Sequence, residues 1–487
     1  MDQFELTLYD FLRKLQERAA DKRLLGDRAG WLTVRQVLER VEELAGIFHQ
    51  LGVRQGDMIA LRSYRSADTC LLIFALQMLG AAAVLTDFRQ EPEDFLCSRG
   101  MVLPLRAILS RNAGAAQWLF RAEGQEKPLA GIAGEAPPPE AVCTDSKLPG
   151  CIIFTSGSTG ESKAVVLSQY NLINNLLDAE PLGDYRFDDV ALGALPLDHV
   201  FGLVLLTGTV VLGYSVYFPE RTDVSCILDT IGWEKITRMN GVPSLYLAMA
   251  EQQRGYELSS LRSGFIGGGP CTPEQFISIE NALDMTLIPA YGMSECVGIT
   301  SASWQDPQSI RARSVGRFYA RNTGKILRAD GLEADPGEEG EICVDSHTRM
   351  LGYYGDASPR EPLLHTGDLG YIDDDGFIYI TGRKKEIIIR NGVNLSPRRI
   401  EAAMLSIPGV EDAAVVGLPD AVKGELPWAM AVCREELRHA VLNVLREKLA
   451  KNECPAGVLY VDALPMTPSG KPDKQKIREV LARWKKA

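Results

Sequence analysis

The chain has 487 residues, 46% of them apolar and 24% charged. At about 150 residues per domain that is roughly three domain-sized units or two larger α/β ones, with ample core, and a disordered chain is excluded. Lys and Arg total 52 against 64 Asp and Glu, a net charge of -12, which argues against a duplex-binding surface; no nucleic-acid partner is expected.

Ten cysteines without a C-x-x-C pair, and five histidines that do not bunch around them, speak against a zinc site or a disulfide framework. The opening residues mix acids and bases with no apolar segment, so no signal peptide is expected. The apolar stretches 69–87 and 200–216 are interrupted by Gly80, Gly202, Gly208 and Gly213. They read as buried helix and strand, not as integral membrane spans. The expectation is a soluble cytoplasmic protein, monomer or homodimer.

In chain order, residues 8–21 and 33–50 carry apolar side chains at helical spacing, as in Val34, Val37, Leu38, Val41, Ala45 and Phe48. A strand at 58–63, a helix at 67–79 and a strand at 81–85 follow with short loops, the grammar of a mostly parallel sheet. Residues 121–149, rich in Gly, Glu, Pro and Ala, predict an exposed connection. Strand 151–154 enters a Gly, Ser and Thr-rich loop, and a helix begins after Leu167. Further strand and helix units occupy 190–250, and strands end in tight loops at 265–269 and 286–292. From about 314 short strands with turn residues predict an antiparallel module. The last hundred residues alternate strand and helix: 387–390, 397–405, 413–419, 428–433, 435–449, 458–464 and 473–486. The predicted fold class is α/β: a large N-terminal domain of mostly parallel α/β layers over 1–384, including a β-rich part at about 314–384, and a small C-terminal α+β domain over 385–487.

The strongest local signal is Phe154 to Lys163, FTSGSTGESK. Glycines let backbone N–H groups approach an anion, hydroxyls donate hydrogen bonds and the lysine adds a point charge, so a phosphate-binding loop suits the composition. It matches neither G-x-x-x-x-G-K-[ST] nor G-x-G-x-x-G.

TSGSTGESKAVVLS resembles the signature phosphate loop of the adenylate-forming superfamily, which includes acyl- and aryl-CoA synthetases, luciferases and peptide-synthetase adenylation domains. Further blocks agree in order: LPLDHVFG at 195–202, IGGG at 266–269, YGMSE at 291–295, TGD at 366–368, GRKKEIIIRNGVNLSPRRIE at 382–401 and PMTPSGKPDKQKIRE at 465–479. The resemblance spans essentially the whole chain. It implies that ATP and a carboxylic acid form an acyl-adenylate and pyrophosphate, and that a thiol then takes the acyl group and releases AMP. ATP, Mg²⁺ and coenzyme A are the implied cofactors.

By the same resemblance Thr155, Ser156, Gly157, Ser158, Thr159, Gly160 and Lys163 hold the β- and γ-phosphates, and Glu295 holds Mg²⁺ with Thr155 or Thr159. Tyr291 lies beside the adenine, in a nucleotide-contacting block continued by Gly292, Met293 and Ser294; Gly268 and Gly269 line adenine and acyl pocket. Asp368 takes the ribose hydroxyls, as suits an acceptor-only carboxylate, and Arg383 is a second ribose or phosphate contact. Lys471 is the catalytic lysine of a mobile C-terminal domain, stabilising charge at the carboxylate and α-phosphate; Lys474 and Lys476 read as surface cations. Lys385 is the hinge, and Asn391 with Gly392 lines the thiol tunnel.

Ser162, Ala164 and Ser294 depart from the commonest wording while keeping small volume or polarity. Asn391 stands where many CoA ligases have Gly, which leaves the acceptor open between CoA and a carrier protein. His199 matches the pocket gate of many acyl and aryl ligases. The segment after Phe201 lacks the acidic residue that would pair with an amino-acid ammonium, and Phe201, Met239, Val242, Met293 and Val297 suggest an apolar pocket or plain core. The expected reaction is activation of a fatty or aryl acid and transfer to CoA. An acyl-AMP ligase loading an acyl carrier protein, or less readily a stand-alone amino-acid-activating enzyme, is the alternative.

Overall fold

The apolar runs of the first half become strands buried on both faces, because helices cover each side. The structure, a computed structural model, describes residues 3–111, 118–129, 142–156, 162–358, 360–466 and 472–485. An eight-stranded sheet runs in the order Gly352–Tyr353, Ser162–Ser168, Pro149–Ser156, Ala82–Thr86, Met58–Arg62, Ala107–Arg111, Trp118–Ala122, Gln125–Pro128. Its four central strands, from Pro149–Ser156 to Ala107–Arg111, are parallel. A nine-stranded sheet has a parallel centre of Arg23–Asp27, Ser215–Tyr217, Val190–Leu192, Arg238–Met239, Ser263–Ile266 and Thr286–Tyr291, closed by antiparallel strands at both edges.

The helices Leu8–Ala19, Val34–Gln50, Ala67–Met78, Gln169–Ala179 and Val200–Val211 share one core with both sheets. Strand alternation sorts the faces. Ile59, Leu61, Ala83, Leu85, Cys151 and Ile153 point into that core, whereas Ala60, Val84 and Ile152 point the other way onto Phe95, Leu96 and Leu103. The far face of the nine-stranded sheet packs Leu192, Met239 and Leu287 against Ile227, Tyr246, Phe276 and Ile279 from three more helices. Helix Ala67–Met78 is buried all round and Val200–Val211 nearly so, which accounts for their apolar sequence without a membrane. Among the described residues no helix is long and apolar enough to cross one.

Strands Thr323–Leu327, Gly340–Asp345, Leu364–Ile372 and Ile378–Arg383 form the antiparallel module expected after residue 314. In the C-terminal part, Val410–Asp420 and Gly424–Cys433 pair over nearly their whole length. Val415 and Ala429 face helices Pro397–Leu405 and Arg438–Lys448, while Val416 and Met430 face Ile477 and Leu481 of helix Lys474–Trp484.

Two expectations are corrected. The stretch read as a connection from 121 contains the edge hairpin Trp118–Ala122 and Gln125–Pro128; the outer strand is exposed along its length, so it carries polar residues and a terminal Pro like a loop. Residues 130–141 lie outside the described residues. Between the predicted phosphate loop and the following helix stands a second strand, Ser162–Ser168, antiparallel to Pro149–Ser156. The helix begins only at Gln169, where Ser168 and Asn171 close a capping box.

Candidate active site

Strand Pro149–Ser156 runs parallel to Ala82–Thr86, so Thr155 stands at the carboxyl end of the parallel block, where α/β sheets place their ligands. The hairpin register pairs Thr155 with Lys163 and Ser156 with Ser162. Gly157, Ser158, Thr159 and Gly160 lie outside the described residues, as does Lys471, and Ser156 enters only through its backbone.

Lys163 Nζ lies 4.5 Å from the ring centroid of Tyr353. The Tyr353 hydroxyl donates to Glu295 Oε1 at 2.8 Å. The two-residue strand Gly352–Tyr353 pairs with Val165 and Val166, and Met350 N donates to the Glu295 carbonyl at 2.8 Å, so the backbone fixes all three residues. Burial raises the Tyr353 phenol well above its ordinary value and the neighbouring Glu295 charge adds to it, keeping the hydroxyl a donor. Oε1 of Glu295 is thereby engaged, and among the described residues Oε2 accepts no hydrogen bond, an arrangement that fits a hard, oxygen-seeking cation.

A second cluster begins at the end of strand Thr286–Tyr291. The Tyr291 hydroxyl donates to Asp368 Oδ2 at 2.7 Å and Arg383 Nε donates to Asp368 Oδ1 at 2.9 Å. Asp368 and Arg383 are cross-strand partners. Burial raises the Tyr291 phenol and the Asp368 charge adds to it. Burial works against the Arg383 charge, yet Asp368, Glu386 and Tyr291 together outweigh it and the guanidinium is held above its ordinary value. Arg398, at the start of helix Pro397–Leu405, feels the same pair: burial lowers its guanidinium and Asp368 partly restores it.

The segment Tyr291–Glu295 joins the two clusters. Gly292 is required there by space, since a Cβ would meet the Val297 carbonyl oxygen at 2.1 Å. Met293 packs beside Tyr291 on Cys296 and Ile299, and Ser294 opens the short turn Ser294–Cys296 that carries Glu295. Gly268 and Gly269 follow the neighbouring strand Ser263–Ile266 and lie against Val242 and Pro243.

His199 immediately precedes helix Val200–Val211 and is half-buried. Burial raises the carboxyl of adjacent Asp198, only partly opposed by His199. Of the residues read as apolar pocket or plain core, Met239 and Val297 are buried in core. Phe201, Val242 and Met293 are half-buried, with Phe201 packed on Phe265 and Ala290.

Lys385 sits in the turn Lys384–Glu386 directly after strand Ile378–Arg383. Asn391 and Gly392, with φ of 53° and 78°, form the two-residue turn of a hairpin and are exposed, outside the two clusters. Lys476 is exposed as expected, but Lys474 is not a free surface cation: it pairs with Glu401 and donates to the Val415 carbonyl at 3.0 Å. It opens a helix whose first turn rests on the C-terminal sheet, which spacing from the Lys471 motif did not reveal.

Tyr353, Arg398 and Glu341 are site neighbours that sequence reasoning missed; each reaches the clusters through a tertiary contact without a motif. Glu341 Oε2 accepts from Lys384 Nζ at 2.8 Å and lies 3.1 Å from His365 Nδ1, while Cys343 Sγ is 3.3 Å from that nitrogen. Burial pushes the Cys343 thiol up to about 12, so this trio is a hydrogen-bonded group with a protonated thiol.

Parallel α/β layers with two charged clusters beside an antiparallel module fit an adenylate-forming enzyme. Residues 12–97 and 101–354 match the AMP-binding enzyme family and residues 399–471 match the AMP-binding enzyme C-terminal domain; the chain belongs to this family. It is 33% identical to sulfoacetate–CoA ligase of Cupriavidus necator, over 71% of this chain and 69% of that protein. It is 30% identical to feruloyl-CoA synthase of an Amycolatopsis species, over 92% of this chain and 93% of that protein. Among solved structures, o-succinylbenzoate CoA synthetase (MenE) of Bacillus subtilis in complex with ATP and magnesium superposes with a TM-score of 0.81 at 26% identity, over 96% of this chain and 98% of that one.

Proposed function

We propose that this chain is an ATP-dependent acid–thiol ligase that activates a fatty or aryl carboxylic acid as its acyl-adenylate and transfers the acyl group to coenzyme A. The observation that carries the reading is the junction, across Tyr291–Glu295, of Lys163, Tyr353 and Glu295 with Tyr291, Asp368 and Arg383. Relatives with CoA ligase and CoA synthase in their names support CoA as acceptor.

In the first half-reaction a carboxylate oxygen of the acid attacks the α-phosphorus of ATP, and the bond to the β-phosphate oxygen breaks, releasing pyrophosphate. Lys163 neutralises phosphate charge, and Lys471 meets the charge that gathers between carboxylate and α-phosphate. Asp368 accepts from the ribose hydroxyls and Arg383 orients it. Glu295 would be the carboxylate that holds Mg²⁺, which would supply further charge neutralisation on the phosphates. In the second half-reaction the thiol sulfur attacks the acyl carbon, the acyl–oxygen bond breaks, AMP leaves and the thiol proton passes to solvent. His199, Phe201, Val242 and Met293 would border the acyl group, with Asn391 and Gly392 guiding the thiol once Lys385 has turned.

The test is pyrophosphate release with ATP and Mg²⁺ across fatty, aryl and amino acids, with and without CoA, and with Lys471→Ala as control. Acid-dependent release abolished in the variant, and thioester with AMP formed only when CoA is present, is the expected result. Adenylate that ignores CoA and loads a phosphopantetheinylated carrier protein would transfer the reading to an acyl-AMP ligase. Absence of release with every acid would overturn adenylation.

A further inference from the structure

The antiparallel module departs from regular pairing beside the Asp368–Arg383 pair. Glu341 is paired with Leu369 and Cys343 with His365, so the single residue Ile342 stands opposite Thr366, Gly367 and Asp368. Gly367 has φ of 73°, a backbone state that glycine adopts freely. Bulges of this kind bend a strand and re-aim a side chain, and they recur next to active sites.

Two side chains hold the bulge. The Thr366 hydroxyl donates to the Ile342 carbonyl at 2.8 Å and accepts from Asp368 N at 3.1 Å. Glu341 Oε1 accepts from Gly367 N at 3.1 Å, while Oε2 takes Lys384 Nζ at 2.8 Å and faces His365 Nδ1 at 3.1 Å. Glu341 is only 7% exposed, so this carboxylate has left water and has partners on both oxygens. Gly367 precedes Asp368 in the chain and Lys384 follows Arg383. One buried acid therefore grips the backbone beside Asp368 and the side chain beside Arg383 while touching neither of them.

We infer that Glu341 is a positioning residue for nucleotide ribose: it holds the 366–368 bulge and the Arg383–Lys384 strand end in the one register that presents the Asp368 carboxylate to two vicinal hydroxyls. The inference rests on the reading of Asp368 as the ribose acceptor. A salt bridge that merely stabilised the module would affect every ligand equally. A residue acting through Asp368 affects only ligands that own the hydroxyls.

The experiment compares Glu341→Gln with the unaltered chain by calorimetric titration of AMP and of 2′,3′-dideoxy-AMP, and by the KM for ATP against kcat in pyrophosphate release. Loss of a positioned charge-assisted network is expected to weaken AMP about tenfold and dideoxy-AMP less than about twofold. The KM for ATP should rise by a similar factor with little change in kcat. Equal weakening of both nucleotides, or of neither, overturns the inference, as does a lowered melting temperature with the AMP to dideoxy-AMP affinity ratio unchanged. Should the glutamine variant not fold, Glu341→Asp, which keeps the charge but withdraws it from Gly367 N, is read in the same way. If the unaltered chain binds AMP and dideoxy-AMP equally, the ribose role of Asp368 falls and the inference with it. Pyrophosphate release by the same preparation tells that failure apart from failure of the proposed function.

Discussion

Tyr353 shows how a residue from a two-residue strand governs groups far from it in sequence. Its hydroxyl holds one oxygen of Glu295 and its ring lies against Lys163, so removing one oxygen atom frees a carboxylate that is poised for a cation. Tyr353→Phe is expected to lower kcat/KM for ATP about tenfold, the usual scale for a hydrogen bond to a charged group, and to raise the Mg²⁺ concentration needed for half-maximal pyrophosphate release. An unchanged Mg²⁺ titration would count against this. Glu341 yields a pH prediction. Burial alone would raise its carboxyl, but Lys384, His365 and the Gly367 amide outweigh burial and hold it below the ordinary glutamate value. A depressed carboxyl contributes stability that is present above the unfolded-state pKa, about 4.3, and is lost as pH falls through the folded value. The melting-temperature gap between the unaltered chain and Glu341→Gln should therefore be full at pH 6 and shrink as the solution is acidified below pH 4.

Among the elements, helices and parallel strands were legible because burial writes a period into the sequence, as at Val34 to Phe48. The strand Ser162–Ser168 was not, because Ala164 to Leu167 is a short apolar run buried on both faces, with no alternation to separate strand from helix. The site divided in the same way. Asp368 and Arg383 were legible within motifs, whereas their partnership is a matter of strand register, and the links of Tyr353 and Glu341 depend on contacts tens of residues apart. Met239 was readable as pocket or as core and lies in core, since apolar character alone does not separate the two. Gly292 tests the segment that joins the two clusters: Gly292→Ala puts a methyl group into the Val297 carbonyl and should cost about 2–4 kcal/mol in denaturant unfolding. A loss below about 0.5 kcal/mol would mean that the segment shifts more easily than its packing indicates.

For the molecule as a whole, Lys385 separates Lys384, held by Glu341, from Glu386, which lies 4.0 Å from Lys474. A pivot there would have each flank tied to a different body. Lys385→Pro, by fixing φ, is expected to separate the half-reactions, with acyl-adenylate formation and thioester formation differing in their losses by at least about tenfold. Rapid-quench measurement of each step checks this, and equal losses would remove Lys385 as the pivot. The sheet order has one more consequence, which concerns the ribosome. Among the described residues, the hairpin Arg23–Asp27 and Gly30–Thr33 has its only parallel neighbour in Ser215–Tyr217. At about 5–20 residues per second that partner is synthesised roughly 10–40 s later, during which the strand Arg23–Asp27 has one of its two edges unpaired, although the first helices already share its core. An unpaired strand edge is a template for wrong pairing, so slower synthesis before Ser215 lengthens the interval in which the nascent chain is open to misassembly.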